Sequence, residues 1–517
     1  MTVKLEKNAT GRMVPTEVNG CEGVPFEGVG KHHPEGTRAA PQIASCVDFP
    51  VDGDKRVSSL EEALERVGLA DGMVVSTHHH LRNGDAVGNL TFDAAAEIGA
   101  KDLMWFPSAS FPVHATQIAH LDAGVIHHIE GSMNGPLGAY CSAGKMRGLG
   151  VLRSHGGRWQ AIQDGEIHID VAVIAAPTAD FFGNANALHG PAACGLLGFA
   201  LADSIYAEKV IVVTDNLVPF PCLPWQIQGN NVDVVVEVES IGDPSKIVSG
   251  TTRVTQSPDR RLIAELAARF CASAGIIRDG FSFQAGAGGT TLAFAMYLAE
   301  LMRADGVKAR FARGGSTQHM VEMLDEGLIE YILDGQTFDL DGVKSMREDS
   351  RHQDTSPFTS YNFHGKGNFA SMVDVAVLGA TEVDLAFNGN VVTHSDGRLL
   401  HGIGGWQNCL TARCAMLLVP SFRDRIPVIV DEVTTLCGPG ELIDVVVTDR
   451  GIAINPRRKD LLDAVAGSDL PIRPIEDLKA ELDRICGVPT KPQPSDDPVA
   501  VVKWVDGTVI DTVWRVD

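Results

Sequence analysis

The chain has 517 residues, of which 44% are hydrophobic, and its formal net charge at pH 7 is −23. A mean hydropathy of +0.04 is typical of a folded, water-soluble protein and argues against an intrinsically disordered chain. The negative charge repels phosphate backbones and anionic lipids, which argues against nucleic acid and membranes as partners.

The length predicts two or three domains. No apolar run approaches the roughly 20 residues that span a bilayer, and the first residues, MTVKLEKNATGRMVP, lack the apolar segment of a secretory signal. We therefore expect a cytoplasmic protein. The ten cysteines form no Cys-x-x-Cys pair, which predicts reduced, mostly buried thiols. Cys409 and Cys414, the closest pair, fall in a pattern that predicts an apolar helix.

In chain order, residues 1–55 are rich in glycine, proline and charge. They predict an arm that lies over the body of the protein or bridges to another subunit. Strand-like apolar runs then alternate with helical patterns, which predicts parallel strands covered on both faces. The helix expected at 58–68 has Ser58 or Ser59 as its N-cap. The predicted strands of this part are 73–76, 102–106, 170–176, 209–215 and 232–238.

An internal repeat with a period near 204 residues is the most informative feature of the chain. Asp374 and Asp384 follow Asp170 and Asp180 by 204 residues each. The repeat predicts that the two halves have the same α/β fold. The matching segments are IDVAVIAAPTADFFGNAN (169–186) with VDVAVLGATEVDLAFNGNVV (373–392), HLDAGVIHHIEGS (120–132) with LDEGLIEYILDGQ (324–336), and KVIVVTDNLVPFP (209–221) with IPVIVDEVTTLCGPG (426–440).

We therefore predict an α/β protein with an N-terminal arm at 1–55, a first domain at 56–252 and a second domain at 253–517. The second domain includes a C-terminal tail from about residue 456. Its last part alternates as a β-hairpin around Asp506-Gly507, which we expect to close an edge of the second domain.

Three consecutive histidines follow the predicted strand at 73–76, and Arg82 follows them. Parallel sheets bind ligands at the carboxyl ends of their strands. Metal ligation is the weaker interpretation, because alternate residues of an extended segment point to opposite sides. Anion binding by His78, His79, His80 and Arg82 is the preferred one. Simple capping of loop carbonyls by the imidazoles also stays open.

A glycine-rich turn occupies the equivalent place in the second half. Gly286, Gly288 and Gly289 lie between a short strand and an apolar helix, and backbone N–H groups at such a helix start bind phosphate, carboxylate or a thioester oxygen. A tight turn with no ligand would look the same. A second cluster, formed by Gly402, Gly404 and Gly405, is also expected to open an apolar helix.

Glu322 is a candidate acid because the repeat keeps it in one copy: Ala119 stands at the equivalent place in the first half. An acid in one half of a duplicated fold suggests asymmetric chemistry at the cleft between the halves. An exposed helical glutamate would show the same pattern.

These motifs resemble the CoA-transferase superfamily. The residues on which the resemblance rests are Gln284-Ala285-Gly286-Ala287-Gly288, Glu322-Met323 five residues before a glycine, the Gly402–Gly405 cluster and VVTDRGIA at 446–453. Within the superfamily the chain is similar to the citrate lyase alpha-subunit family over nearly its whole length. That similarity is carried by SSLEEALERVGLADGMVVSTHHHLRNGD, RSHGGRWQAIQDGEIHIDVAV, TDNLVPFP, GDPSKIVSGTTRVTQSP, FSFQAGAGGTTLA and VVKWVDGTV.

The resemblance implies two tandem copies of an open, mostly parallel CoA-transferase-like sheet, a fold shared with sugar-phosphate isomerases. It implies a citrate CoA-transferase of citrate and acetyl-CoA metabolism, which converts acetyl-acyl carrier protein and citrate into citryl-acyl carrier protein and acetate. The thiol belongs to a phosphoribosyl-dephospho-CoA arm on the acyl carrier (gamma) subunit, with acetyl-CoA as surrogate. A beta subunit cleaves the citryl thioester. No redox cofactor and no metal are expected in this subunit, and an oligomer is expected.

By the same resemblance, Glu322 aligns with the glutamate that attacks the thioester in related transferases. Its context here is Met320-Val321-Glu322-Met323 rather than His-Thr-Glu-Met, so direct attack by citrate stays open beside a covalent route. We expect His78, His79, His80 and Arg82 to hold citrate. Gln284 and the two glycine clusters are expected to hold the thioester.

Two alternatives remain at this point. A related transferase could act on citramalate, acetate or 4-hydroxybutyrate. A non-catalytic relative of the sugar-phosphate isomerases would bind one sugar phosphate in each half and exchange no thioester.

Overall fold

The computed structural model describes residues 3–33, 50–248, 253–286, 288–362, 367–490 and 495–516. Cys46, the residues 249–252 at the expected domain boundary and Ala287 of the glycine turn lie outside the described residues. Among those described, no helix is long and apolar enough to cross a membrane.

Short strands and helices alternate along the chain. The strands of the N-terminal half are β1 Leu5–Lys7, β2 Met13–Pro15, β3 Glu17–Val18, β4 Cys21–Glu22, β5 Arg56–Val57, β6 Val74–Thr77, β7 Leu103–Pro107, β8 Ile126–Ile129, β9 Gly150–Leu152, β10 Val171–Ala175, β11 Thr178–Ala179, β12 Ala185–Asn186, β13 Lys209–Thr214 and β14 Val234–Glu237.

The strands of the C-terminal half are β15 Phe281–Ala285, β16 Ala309–Ser316, β17 Ile329–Thr337, β18 His352–Asp354, β19 Val375–Leu378, β20 Glu382–Asp384, β21 Gly389–Asn390, β22 Ala415–Leu418, β23 Phe422–Arg423, β24 Ile426–Pro427, β25 Ile429–Val430, β26 Val445–Thr448, β27 Gly451–Ile454, β28 Pro498–Lys503 and β29 Val509–Trp514. The α-helices are α1 Leu60–Arg66, α2 Val87–Glu97, α3 Gln117–Ala123, α4 Pro136–Ser142, α5 His155–Gln163, α6 Ala200–Tyr206, α7 Pro258–Ser273, α8 Gly289–Asp305, α9 Gln318–Asp325, α10 Leu340–Glu348, α11 Pro357–Tyr361, α12 Trp406–Cys409, α13 Lys459–Ala464 and α14 Ile475–Cys486.

Each half is built on one large sheet, and the two sheets repeat the same strand order. The first runs β5-β14-β13-β10-β6-β7-β8 and the second runs β18-β17-β16-β15-β19-β22-β26-β27. The stretch from β14 to β8 in the first sheet matches the stretch from β26 to β17 in the second. All pairs are parallel except β26 with β27. The predicted duplication and the five predicted strands are confirmed.

The repeated aspartates have the same local function in both halves. Asp180 accepts hydrogen bonds from the backbone N–H groups of Phe182 and Asn184, and Asp384 accepts them from Ala386 and Asn388. Each carboxylate closes the turn between two short strands because backbone N–H groups buried there need an acceptor. The sequence match at a spacing of 204 therefore reflects a shared turn.

One predicted alignment was wrong. Strand β13 was aligned with 426–440, but its counterpart is β22, since each follows its central neighbour in the same sheet. Strand β25, at 429–430, instead pairs with β20 in a separate three-stranded sheet. Both segments are rich in Val and Ile, so hydrophobicity alone did not distinguish them.

Buried apolar side chains fill the space between each sheet and its helices. Val234, Val235 and Val236 of β14 are at most 1% exposed, as expected for parallel strands that are covered on both faces. Helix α1 begins after Ser59, whose side chain accepts a hydrogen bond from the Glu62 N–H. This confirms one of the two predicted caps.

The two ends of the chain pack together on the first half. The predicted hairpin forms as β28 and β29, but β28 pairs with β9 of the first half, so the expected closure of a second-domain edge was wrong. Phe26 of the arm packs edge-on against Trp504 with ring centroids 6.0 Å apart. Nothing in the local sequence of a hairpin specifies which open edge it joins.

Candidate active site between the two halves

A cavity of about 1500 Å³ opens between the halves of the molecule. It lies where the carboxyl ends of β6 and β15 approach each other, the edge at which parallel sheets bind ligands. Most of the residues predicted for the site contribute to its wall. These are His79, Arg82, Gln284, Gly286, Gly288, Gly289, Gly402, Gly404 and Gly405.

His79 connects the two halves at the wall of this cavity. Its Nδ1 lies 2.6 Å from the Ser108 hydroxyl and its Nε2 lies 3.0 Å from Oε1 of Gln336 in the second half. Because the Gln336 oxygen can only accept, the proton is on Nε2 and Nδ1 accepts from Ser108. Burial lowers the pKa of His79 well below its ordinary value, so the imidazole is neutral.

His78 and His80 lie behind the wall rather than in it. His78 Nε2 is 2.9 Å from the Asp203 carboxylate, which also receives two hydrogen bonds from Arg158. The His80 ring stacks on His78 with centroids 5.7 Å apart and planes 13° apart. The three imidazoles are therefore stacked and do not converge on one point. No group of three His, Cys, Asp or Glu side chains suited to a metal ion occurs among the described residues.

Arg82 places a positive charge in the cavity wall, and its backbone conformation is strained. Its φ of 53° is in the left-handed region, which costs a non-glycine residue about 1 kcal/mol or more. The guanidinium carbon lies 5.2 Å from the Phe111 ring centroid and 4.7 Å from that of Phe338. Burial lowers the pKa of Arg82 to about 10, which leaves it cationic at neutral pH.

The glycine turn after β15 leaves open space beside the N-terminus of α8. A Cβ placed on Gly288 would meet nothing nearer than the Thr291 hydroxyl at 3.6 Å, and one on Gly286 nothing nearer than 3.8 Å. Neither glycine has a positive φ, so neither backbone conformation nor neighbouring protein atoms require glycine there. Since α8 is 17 residues long, its free N–H groups and dipole favour an anion at this end.

The second glycine cluster has structural reasons for its residues. A Cβ on Gly402 would lie 1.8 Å from the Ser132 hydroxyl, one on Gly405 would lie 2.7 Å from the Tyr361 hydroxyl, and Gly404 has a φ of 60°. The backbone here joins the halves, because the His155 N–H donates to the Gly404 carbonyl at 2.8 Å.

The apolar helix predicted after this cluster was wrong. Only the four-residue α12 follows it, and Cys414 directly precedes strand β22. The apolar run is buried as part of the sheet. The expectation that it is buried was therefore correct, but its pattern was wrongly interpreted as helical. Both Cys409 and Cys414 are buried free thiols, as predicted.

A family model described as "Citrate lyase, alpha subunit (CitF)" matches residues 53–516. The chain belongs to the citrate lyase alpha-subunit family. The resemblance seen in its motifs is thereby confirmed, and so is the enzyme class, the citrate CoA-transferase component of citrate lyase.

Relatives within the family align along most of the chain. The citrate lyase alpha chain of Haemophilus influenzae is 40% identical over 464 residues, which cover 89% of this chain and 93% of the relative. That of Escherichia coli K12 is 39% identical over 464 residues, covering 89% and 91%. The solved alpha subunit of citrate lyase from Streptococcus mutans, described as a complex with citrate, has a TM-score of 0.93, 40% identity and coverage of 99% and 100%.

The fold extends beyond the citrate lyase family. The malonate decarboxylase alpha subunit of Acinetobacter baumannii has a TM-score of 0.61 at 16% identity, covering 84% of this chain and 89% of that one. Together with the two parallel sheets, this likeness confirms the predicted CoA-transferase-like fold class.

Glu322, the acid suggested by the superfamily motif, is not among the residues that line the cavity. It lies on α9 with half of its side chain exposed, and its carboxylate bonds Gln318 at 2.9 Å and His319 at 3.1 Å. The structure therefore does not bring Glu322 together with Arg82 and the glycine turn.

The cavity wall also contains residues that the sequence analysis did not single out. His155 lies 5.5 Å from His79, centroid to centroid, and burial lowers its pKa to about 3. Four further arginines line the cavity, although the protein is strongly acidic: Arg253, Arg260, Arg398 and Arg423. Two of them lie in the TTRVTQSPDRR segment, where the clustered positive charge was a usable signal.

Proposed function

We propose that the cavity is the site where citrate exchanges with the acetyl group of a thioester. The observation that carries the proposal is the placement of Arg82, a buried cation held on a left-handed backbone, in the same cavity as the open glycine turn before α8. The description of the Streptococcus mutans relative as a citrate complex supports it.

A carboxylate of citrate attacks the acetyl carbonyl carbon, and the carbonyl electrons move to its oxygen. Collapse expels the thiolate and leaves a mixed anhydride of citrate and acetate. The thiolate then attacks the citryl carbonyl, acetate leaves, and a citryl thioester remains. Backbone N–H groups at the N-terminus of α8 stabilise the transient oxyanion, a contribution of about 10²–10³ in rate per donor.

Arg82 and His79 hold citrate in this scheme. Arg82 pairs with a carboxylate, and the neutral His79 shapes the wall beside it. His78 is held by Asp203 behind the wall, and the His80 ring stacks on both His78 and His79. Gln284, Gly286, Gly288 and Gly289 receive the thioester, and Gly402, Gly404 and Gly405 shape the opposite wall. Glu322 retains a proposed catalytic part only in a covalent route, which would need it to reach the thioester.

The thiol is proposed to be a CoA-like phosphoribosyl-dephospho-CoA arm on an acyl carrier (gamma) subunit, with a beta subunit that cleaves the citryl thioester. The subunit names of the relatives support a multi-subunit complex, and the arginines of the cavity suit a phosphate-bearing arm. We also propose an oligomeric assembly, domain limits at 56–252 and 253–517, and a cytoplasmic location, in keeping with the free thiols of the described cysteines.

The test is an exchange assay of the full chain with acetyl-CoA and a panel of acids: citrate, citramalate, labelled acetate and 4-hydroxybutyrate. We expect citryl-CoA and free acetate in stoichiometric amounts with citrate as the preferred acid. Preference for another acid would reassign the substrate. Absence of exchange with every acid, together with binding of a sugar phosphate, would overturn the transferase assignment.

A further inference from the structure

Arg313 is a fully buried cation directly behind the cavity wall. It lies on β16 with 0% of its surface exposed. Its Nη1 donates to Oε1 of Gln284 at 2.6 Å, and its guanidinium carbon lies 4.8 Å from the Tyr361 ring centroid. Gln284 and Tyr361 both line the cavity, so one layer of side chains separates Arg313 from a bound ligand.

No carboxylate of the described part of the chain lies within ion-pair distance of Arg313, and its Nε and Nη2 have no hydrogen-bond partner there. Buried charges in proteins are normally paired, because removing an unpaired charge from water is unfavourable. A chain with 66 acidic residues nevertheless surrounds this guanidinium with the neutral groups of Gln284 and Tyr361. The layer behind the cavity wall therefore contains a cation that makes no direct ion pair with the described residues.

This arrangement fixes the orientation of the Gln284 amide. A guanidinium has only donors, so Gln284 must present its oxygen to Arg313. Its NH₂ group is thereby turned away from Arg313, and Nε2 donates toward the sulfur of Cys409, which also lines the cavity. One amide hydrogen remains for a ligand.

We propose that Arg313 is a positioning residue that holds Gln284 as a hydrogen-bond donor to the oxygen that becomes negative during acyl exchange. This inference rests on the exchange reaction proposed above. When citrate attacks the acetyl carbonyl, the electron pair of the C=O bond moves to oxygen. The Gln284 N–H bonds that oxyanion, and the buried charge of Arg313 stabilises it through the amide. The C–S bond then breaks and the thiolate leaves.

Variants Arg313→Met, Arg313→Lys, Gln284→Glu and the double variant R313M/Q284E test this. In R313M the methionine keeps an unbranched side chain but removes the charge. In Q284E the carboxylate pairs with Arg313 but has no N–H group to donate.

For R313M and Q284E we expect kcat for citrate exchange from acetyl-CoA to fall about 100-fold, with KM for citrate changed less than threefold. Q284E is expected to melt at or above the wild-type temperature, which separates lost donation from lost folding. The double variant should be no slower than the slower single variant, and R313K should recover part of the activity.

A kcat within threefold of wild type in R313M or Q284E would overturn the proposal, as would multiplicative losses in the double variant. If R313M does not fold, Q284E and R313K decide by the same criteria. The exchange assay of the wild-type chain comes first: no exchange there would contradict the proposed function, whereas an active wild type with an active Q284E contradicts the role of Gln284 and Arg313.

Discussion

His79 of the first half and Gln336 of the second half are joined by a hydrogen bond of 3.0 Å across the cavity wall. The two residues are 257 positions apart, yet the amide of Gln336 also donates back to the His79 carbonyl at 3.3 Å. The reciprocal pair makes the geometry of the cavity wall depend on how the two halves are placed.

Arg82→Asn should weaken citrate binding with little loss of stability. Asparagine tolerates the left-handed backbone that Arg82 adopts, so the change removes charge without adding strain. Loss of a charge-assisted pair with a carboxylate is worth about 1.5–3 kcal/mol, which corresponds to roughly a 10- to 150-fold rise in KM for citrate. Steady-state kinetics and a melting curve measure both effects. Arg303→Gln is the control, since Arg303 pairs with Glu326 on the surface. An unchanged KM in R82N would argue against the assignment.

Gly288→Ala should fold normally and lose exchange activity. A methyl group there meets no atom of the described chain closer than 3.6 Å, but it would occupy the space offered to the thioester. We expect kcat/KM for acetyl-CoA to fall at least about tenfold, a cost typical of overpacking. Gly367→Ala is a matched control, because a Cβ at Gly367 meets no described atom within 4 Å and Gly367 is not in the cavity wall. Equal effects in the two variants would contradict a ligand-binding role for the glycine turn.

Glu322→Gln should leave citrate exchange within threefold of wild type. The carboxylate is half exposed and bonds its helical neighbours Gln318 and His319, and Glu322 is not among the residues that line the cavity. The comparison of kcat in the two proteins measures this. Loss of exchange in E322Q, together with a glutamyl thioester trapped on the wild-type chain, would instead establish the covalent route.

Acid should destabilise the protein through its buried neutral histidines. Burial lowers the pKa of His155 to about 3 and holds the pKa of His79 well below its ordinary value. The unfolded chain protonates these imidazoles below about pH 6.5. Between that pH and the folded pKa the unfolded state binds more protons, so the free energy of unfolding falls as the pH falls, by up to roughly 1.4 kcal/mol per pH unit for each histidine.

Urea unfolding between pH 7.5 and 5 measures that slope in the wild type and in His155→Phe. Phenylalanine suits the aromatic neighbours Phe199 and Tyr361 and removes one titrating group, so the variant should show a shallower slope. A slope unchanged by the substitution would contradict the assignment of His155 as a neutral buried imidazole.

The duplication was predictable from sequence because it depends on local requirements. Asp180 and Asp384 each close a turn by accepting hydrogen bonds from backbone N–H groups. An aspartate therefore recurs at the equivalent position of both halves, within a similar local sequence. The five strands of the first sheet were visible for a similar reason: a strand buried on both faces needs a continuous apolar run.

The site was predictable only in part because its geometry depends on contacts between distant residues. The local sequence does not distinguish His78, His79 and His80. In the structure, Asp203 on another element binds His78, and of the three only His79 lines the cavity. Arg313 looked like an ordinary strand residue, since nothing near it in sequence indicates that it is buried without an acidic partner. Glu322 matched a superfamily position by spacing, whereas the orientation of α9 leaves it at the surface.

The most direct test of the account is the fate of oxygen in a single turnover. Citrate labelled with ¹⁸O in its carboxylates is mixed with excess full-length protein and acetyl-CoA, and the released acetate is analysed by mass spectrometry. If citrate itself attacks the acetyl thioester in the cavity, the bridging oxygen of the anhydride leaves with acetate, so the first acetate released carries one ¹⁸O atom. Unlabelled acetate in that first turnover would contradict direct attack by citrate.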